Sequence, residues 1–273
     1  MKPTDYKLGI FCWFGYRLHM AQRAKLIKDA GFTATCIWWG EEEKANTGSL
    51  HDLPGIIRDA GLYVDNIHVP FQDCADLASD SALVRQKIVN QHITWLADCA
   101  AHHIGIMVMH VCPEQDNPPP PNKHVVGSVK DILKAAEDLD VTLAIENTRR
   151  NDYLDLVFSE IDSPHLGLCY DSSHDFLWGE HPISILNKWS RRLVTTHLSD
   201  NDKRQDRHWL PNKGSIDWPK LAGALARQSY RGPLMLEVLA EETTQPADLF
   251  LAAAYESTRA VAKLTQTTDR HSV

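Results

Sequence analysis

The chain has 273 residues, 43% apolar and 23% charged, with a formal net charge of −8. This is the composition of an ordinary soluble domain. No apolar run approaches the ~20 residues that cross a bilayer, and the acidic balance argues against a nucleic-acid partner, whose phosphates call for a basic face.

The opening stretch MKPTDYKLGIFCWF lacks the apolar core and small-residue cleavage site of a secretion signal, and the six cysteines are scattered with no CxxC pair. A cytoplasmic protein without a disulfide framework is expected. Short apolar strands then alternate with amphipathic helices along the chain. A strand at 8–14 leads to a helix at 19–30, closed by Gly31, and a strand at 34–39 leads to a helix at 50–60, closed by Gly61. Strand 64–69 precedes a long helix at 79–101, strand 106–112 a helix at 124–139, and strand 142–146 a short helix at 152–160. Strand 166–171 precedes a helix at 183–189, strand 193–198 a helix at 218–228, and strand 233–238 a closing helix at 246–264. Eight such units predict an α/β fold, a single (β/α)8 TIM barrel over residues 1–265 with a polar tail at 266–273. An open doubly wound sheet is the rival, but strand one is followed by WFGYRLH rather than a GxGxxG turn. PEQDNPPPPN after strand four cannot be helical. The polar stretch of about twenty residues after strand seven, SDNDKRQDRHWLPNKGSIDW, is long enough to suggest a functional loop.

Six strand-like runs each end in a metal-type ligand: NIHVPF (His68), VMHVC (His110), LAIENT (Glu146), LGLCYDSSH (Asp171, His174), LVTTHLSDN (His197) and PLMLEV (Glu237). In a barrel the carboxyl ends of the strands converge on one mouth. Glu146, Asp171, His197 and Glu237, from strands five to eight, offer three carboxylates and an imidazole, a set suited to Mn²⁺, Mg²⁺, Co²⁺ or Zn²⁺. A carboxylate beside a dry core is costly alone, and a cation offsets that cost. Trp13, Phe14, Trp38 and Trp39 fall at the same mouth and could wall a pocket for the apolar face of a sugar. Arg149, Arg150, Lys203, Arg204 and Arg207 follow strands five and seven and could clamp a phosphate or carboxylate, Arg207 being the one retained as a substrate-binding candidate.

With His68, His110, His174, Asp206 and His208 added, nearly the whole chain resembles the xylose isomerase-like barrel superfamily of sugar isomerases, sugar epimerases and zinc-dependent apurinic endonucleases. The motifs IENT, CYDSSHD, HLSDND, DRH with GSIDW, and LEV resemble most its bacterial sugar-phosphate isomerase/epimerase branch. The resemblance implies that Glu146 and Glu237 both hold the metal and transfer protons beside a carbonyl, one removing and the other returning it, while the metal polarises that carbonyl. Asp171 and His197 complete the coordination, and His174 contacts a small sugar or sugar-phosphate substrate. The endonuclease branch implies a larger set instead. His68, His110 and Glu146 would hold one ion, the four-ligand set a second, and His174, Asp206 and His208 a third. His68 and His110 thus stand either as additional metal ligands or as rim histidines lining the substrate pocket. A metal-dependent isomerase or epimerase is the leading expectation. A hydrolase of the apurinic endonuclease or phosphoesterase type and a dehydratase or lyase are the alternatives, and the family also implies a homo-oligomer.

Overall fold

A computed structural model describes residues 6–40, 49–113, 115–228, 230–241 and 243–268. Its strands are β1 (Leu8–Phe11), β2 (Ala34–Trp38), β3 (Tyr63–His68), β4 (Ile106–Met109), β5 (Thr142–Glu146), β6 (Leu166–Asp171), β7 (Leu193–His197) and β8 (Leu234–Leu236). All pair in parallel, in the order β7-β6-β5-β4-β3-β2-β1-β8. A parallel bridge between Leu198 and Leu236 closes the ring. Beside it the Thr196 hydroxyl stands in for a backbone rung, accepting from Met235 N at 3.1 Å and facing Pro233 O at 3.3 Å. The eight parallel strands thus form the barrel that the alternating pattern predicts.

The helices are α1 (Met20–Asp29), α2 (Leu53–Asp59), α3 (Ala82–Ala101), α4 (Lys123–Asp138), α5 (Asn151–Glu160), α6 (Ser172–Trp178), α7 (Ser184–Trp189), α8 (Trp218–Ala226) and α9 (Ala247–Thr268). None is long and apolar enough to cross a membrane. Gly31 and Gly61 follow α1 and α2 at φ +107° and +79°, the left-handed region that glycine enters without a Cβ clash. From residue 115 the proline-rich stretch stays irregular until Asn122, whose Oδ1 accepts from His124 N and Val125 N to start α4. Two differences from the predicted elements stand out. The closing helix α9 runs to Thr268 rather than 264, and residues 269–273 of the predicted tail lie outside the described residues. The second is α6, which begins directly at the end of β6: Asp171 caps it by accepting from His174 N at 2.6 Å.

The core lies mainly between strands and helices. Inside the barrel sits a separate small cluster of Val108, Ala144 and Cys169. Each lies two residues before His110, Glu146 or Asp171, so strand alternation puts it on the same face as that ligand, one layer down. Burial raises the Cys169 thiol pKa strongly, as a dry floor beneath the ligands requires.

The long loop after β7 is anchored by Asp200. Its fully buried carboxylate accepts from Asn201 N (2.9 Å), Ile216 N (3.1 Å) and Trp218 Nε1 (2.8 Å), while its backbone bridges Trp209. Asp200→Ala leaves three donors without an acceptor, so a loss of about 3 kcal/mol or more in urea unfolding is expected. A loss below about 1 kcal/mol would mean that water replaces the carboxylate and that the loop is held elsewhere.

Candidate metal centre

His68, Glu146, Asp171 and His197 are the last residues of β3, β5, β6 and β7, while His110 and Glu237 follow β4 and β8 by one residue. The parallel barrel therefore carries all six to one mouth. One ligand atom each from Glu146, Asp171, His197 and Glu237 lie within 4.8 Å of one another. His197 Nδ1 stands 3.1 Å from Glu146 Oε2 and 2.9 Å from Glu237 Oε2. Around Glu146 gather His68 Nε2 at 3.1 Å, His110 Nε2 at 3.3 Å and His174 Nδ1 at 3.2 Å. A second chain of contacts leads outward: His174 Nε2 to Asp206 Oδ2 at 3.0 Å, and Asp206 Oδ2 to His208 Nε2 at 3.1 Å. All nine predicted ligands thus fall in one connected cluster.

The positioning is local. Asn147 donates its side-chain NH₂ to Asp171 O (2.9 Å) and accepts from Asp171 N (2.8 Å), clamping the ends of β5 and β6 together. Its own carbonyl lies 2.9 Å from His174 Nδ1. Trp178, one turn further along α6, packs on the His174 ring at 4.9 Å. Phe71 stacks on His110 at 4.5 Å and 14°.

The electrostatics are those of charges withdrawn from water. Burial pushes the Asp171 carboxyl up, and the negative Glu146, Asp206 and Glu237 add to it, reaching about 7 against the pull of His174. Burial also opposes ionisation of Glu146 and Glu237, yet the surrounding imidazoles outweigh it and hold both below the usual carboxylate range. His197 and His174 are held well above the ordinary imidazole value, burial being outweighed by the neighbouring anions. His208 is likewise held up to about 10, burial being outweighed first by its hydrogen bond to Asp206.

Asp171 Oδ2 and both ring nitrogens of His197 are buried without a hydrogen-bond partner, although His197 Nδ1 is within ion-pairing distance of two glutamates. Orphaned polar atoms at a point where three carboxylates converge are the arrangement a cation satisfies. The donors fit.

A cavity of about 360 Å³ opens beside Glu237, lined by Phe11, Trp13, Arg17, Trp38, Phe71, Gln72, His208 and Leu239. That volume suits a monosaccharide-sized molecule. Of the four predicted wall aromatics, Trp13 and Trp38 line it. Phe14 packs on Tyr16 and Phe250, and Trp39 turns away to donate to Asp98 at 2.9 Å. Arg207 is engaged by Asp202 at 3.0 Å and lies over Trp209, off the cavity wall. Sequence reasoning missed Phe11, Arg17, Phe71, Gln72 and Leu239. Only Phe71 carried a signal, as the last residue of the NIHVPF motif.

Fold and site together define an eight-stranded parallel barrel with a carboxylate–imidazole cluster at the carboxyl ends of its strands. The family model described as "Xylose isomerase-like TIM barrel" matches residues 24–259, and the chain belongs to that family. Among curated proteins it is 34% identical over 116 residues to an uncharacterized protein of Sinorhizobium fredii, covering 40% of this chain and 37% of that one. It is 31% identical over 101 residues to inosose dehydratase of Clostridium botulinum (31% and 34% covered). It is 26% identical over 121 residues to D-psicose 3-epimerase of Enterocloster bolteae (41% and 38% covered). These matches span little more than a third of each relative's length. Among solved structures, an L-ribulose 3-epimerase superposes with TM-score 0.76 at 15% identity, over 97% of this chain and 96% of that one, a likeness of fold.

Proposed function

We propose that this protein is a divalent-metal-dependent isomerase or epimerase of a small sugar or sugar derivative. The observation that carries the reading is the pair Glu146 and Glu237, which approach the same His197 nitrogen from β5 and β8 at 3.1 and 2.9 Å, with Glu237 also lining the cavity. Glu146, Asp171, His197 and Glu237 would hold the cation, which when bound supplies Lewis-acid polarisation of a carbonyl. The carboxylates do the proton work. Both are held ionised by surrounding imidazoles, as a general base must be at neutral pH. One takes the proton from the carbon beside the carbonyl and the other returns it. Asp206 holds His174 from the far side and is itself met by His208, which lines the cavity. The aromatic wall offers a surface for the apolar face of the sugar.

The likeness to an inosose dehydratase favours a second reading, in which the same proton removal is followed by loss of a β-hydroxyl. One experiment tests both. Incubation of the metal-loaded protein with a panel of ketoses in D₂O, followed by NMR, is expected to give deuterium at a carbon adjacent to the carbonyl with no loss of water from the product. A dehydrated product supports the second reading, and no deuterium in any member of a broad panel refutes proton transfer.

A further inference from the structure

We infer that the cavity takes a substrate carrying an anionic group, phosphoryl or carboxylate, and that Arg17 is the residue that recognises it. This inference rests on the proposed proton transfer at Glu146 and Glu237 and adds the substrate's class.

Three arginines at the mouth already have acidic partners. Arg207 is held by Asp202 at 3.0 Å, Arg149 by Asp116 at 3.2 Å, and Arg150 by Asp152. Arg17, on the loop between β1 and α1, is exposed and lines the cavity, and among the described residues no carboxylate lies within ion-pairing distance of it. Among the described lining residues it is the only lysine or arginine. Much of the described lining is apolar: Phe11, Phe71 and Leu239 offer nothing to hydroxyl groups, which would find Gln72, His208, Glu237 and the indole N–H groups of Trp13 and Trp38. A ligand with an anion at one end would meet a guanidinium suited to planar, bidentate contact. Glu237 on the same lining repels that anion, so it sets the reacting end toward the carboxylates and the charged end toward Arg17.

The test measures binding to the metal-loaded wild type and to Arg17→Gln and Arg17→Lys variants by quenching of tryptophan fluorescence, with calorimetry as a check. The probes are D-fructose, D-fructose 6-phosphate and 5-keto-D-gluconate. At least one anionic probe is expected to bind the wild type roughly tenfold or more tightly than D-fructose, as a charge-assisted contact would give. That preference is lost in Arg17→Gln and partly kept in Arg17→Lys. Preference for the phosphate or for the carboxylate names the source of the anion. Binding of both anions no tighter than D-fructose overturns the inference, and so does a preference that survives in Arg17→Gln, which would place the anion on the cation instead. Deuterium exchange on the same samples separates this outcome from the reaction. Exchange without anion preference leaves the reaction and removes the inference, while an Arg17-dependent preference without exchange does the reverse.

Discussion

Glutamine in place of Glu237 is expected to lower turnover by roughly 10²–10⁴-fold, the range lost when a positioned general base is removed. The substitution keeps the shape and removes the charge. Glu237 is the less enclosed of the two proposed bases, its side chain 22% exposed against 1% for Glu146. Glu237→Gln should therefore fold normally and lose proton transfer on one face of the substrate. Deuterium wash-in on the opposite face should persist at a reduced rate. Glu146→Gln is expected to be worse in kind. Four imidazoles gather on that carboxylate, and without its charge they are left facing one another, so cation affinity and turnover fall together. Steady-state kinetics and metal content of the two variants check both statements. Undiminished turnover in Glu237→Gln would eliminate the two-carboxylate mechanism.

The second large effect is a crossed one at Asp171. Its carboxyl is pushed up to about 7 by burial and by three neighbouring anions. A folded-state value above the unfolded ~3.9 means that the neutral form favours the fold. That contribution is complete below about pH 4 and lost as pH rises through 7. His197 and His174 are also raised and act in the same direction, their contribution disappearing as pH climbs past their folded values. Chelator-treated protein should therefore lose thermal stability between pH 6 and 8, and added manganese should restore it increasingly over the same interval, because the cation takes the place of protons. At about a hundred times its dissociation constant an ion adds about 2.7 kcal/mol, or roughly 5–10 °C for a chain of this size. Asp171→Asn is expected to raise the melting temperature of the chelated protein at pH 8, since Asn keeps the cap to His174 without the buried charge, and to abolish most of the gain from manganese. An equal gain from manganese in both proteins would remove Asp171 from the ligand set. Metal content bears on the rival hydrolase reading too. One ion per chain agrees with the four-ligand site, whereas two or three zinc ions would bring in His68, His110, His174, Asp206 and His208 and turn attention to phosphoester cleavage.

The candidate ligands at the strand ends are legible in the chain because each closes an apolar run, and strand alternation then forces it inward. The β5 motif illustrates this: LAIE puts Ala144 and Glu146 on the inner face and Leu143 and Ile145 against the helices. The pocket wall was less legible. Phe11 and Trp13 share a face, whereas the neighbouring Phe14 joins the outer core, and no periodicity survives into the loop to say so. Arg207 shows the same limit for charge. A basic residue in a polar loop reads as free until folding brings Asp202, five residues earlier, against it. Helix α6 is hidden in the sequence because Asp171, the residue that caps it, also ends β6, so its capping leaves no separate signal.

The ring closes where β7 meets the three-residue β8, through the Leu198–Leu236 bridge and the Thr196 hydroxyl. His197 stands on one side of that seam and Glu237 on the other, 2.9 Å apart. Fitting the last stave and completing the candidate metal centre are therefore one event. A barrel open at this seam has nearly all its secondary structure but only half of the proposed proton-transfer pair in place. A cation held across it would act as a clasp, drawing shut the join with the fewest backbone rungs.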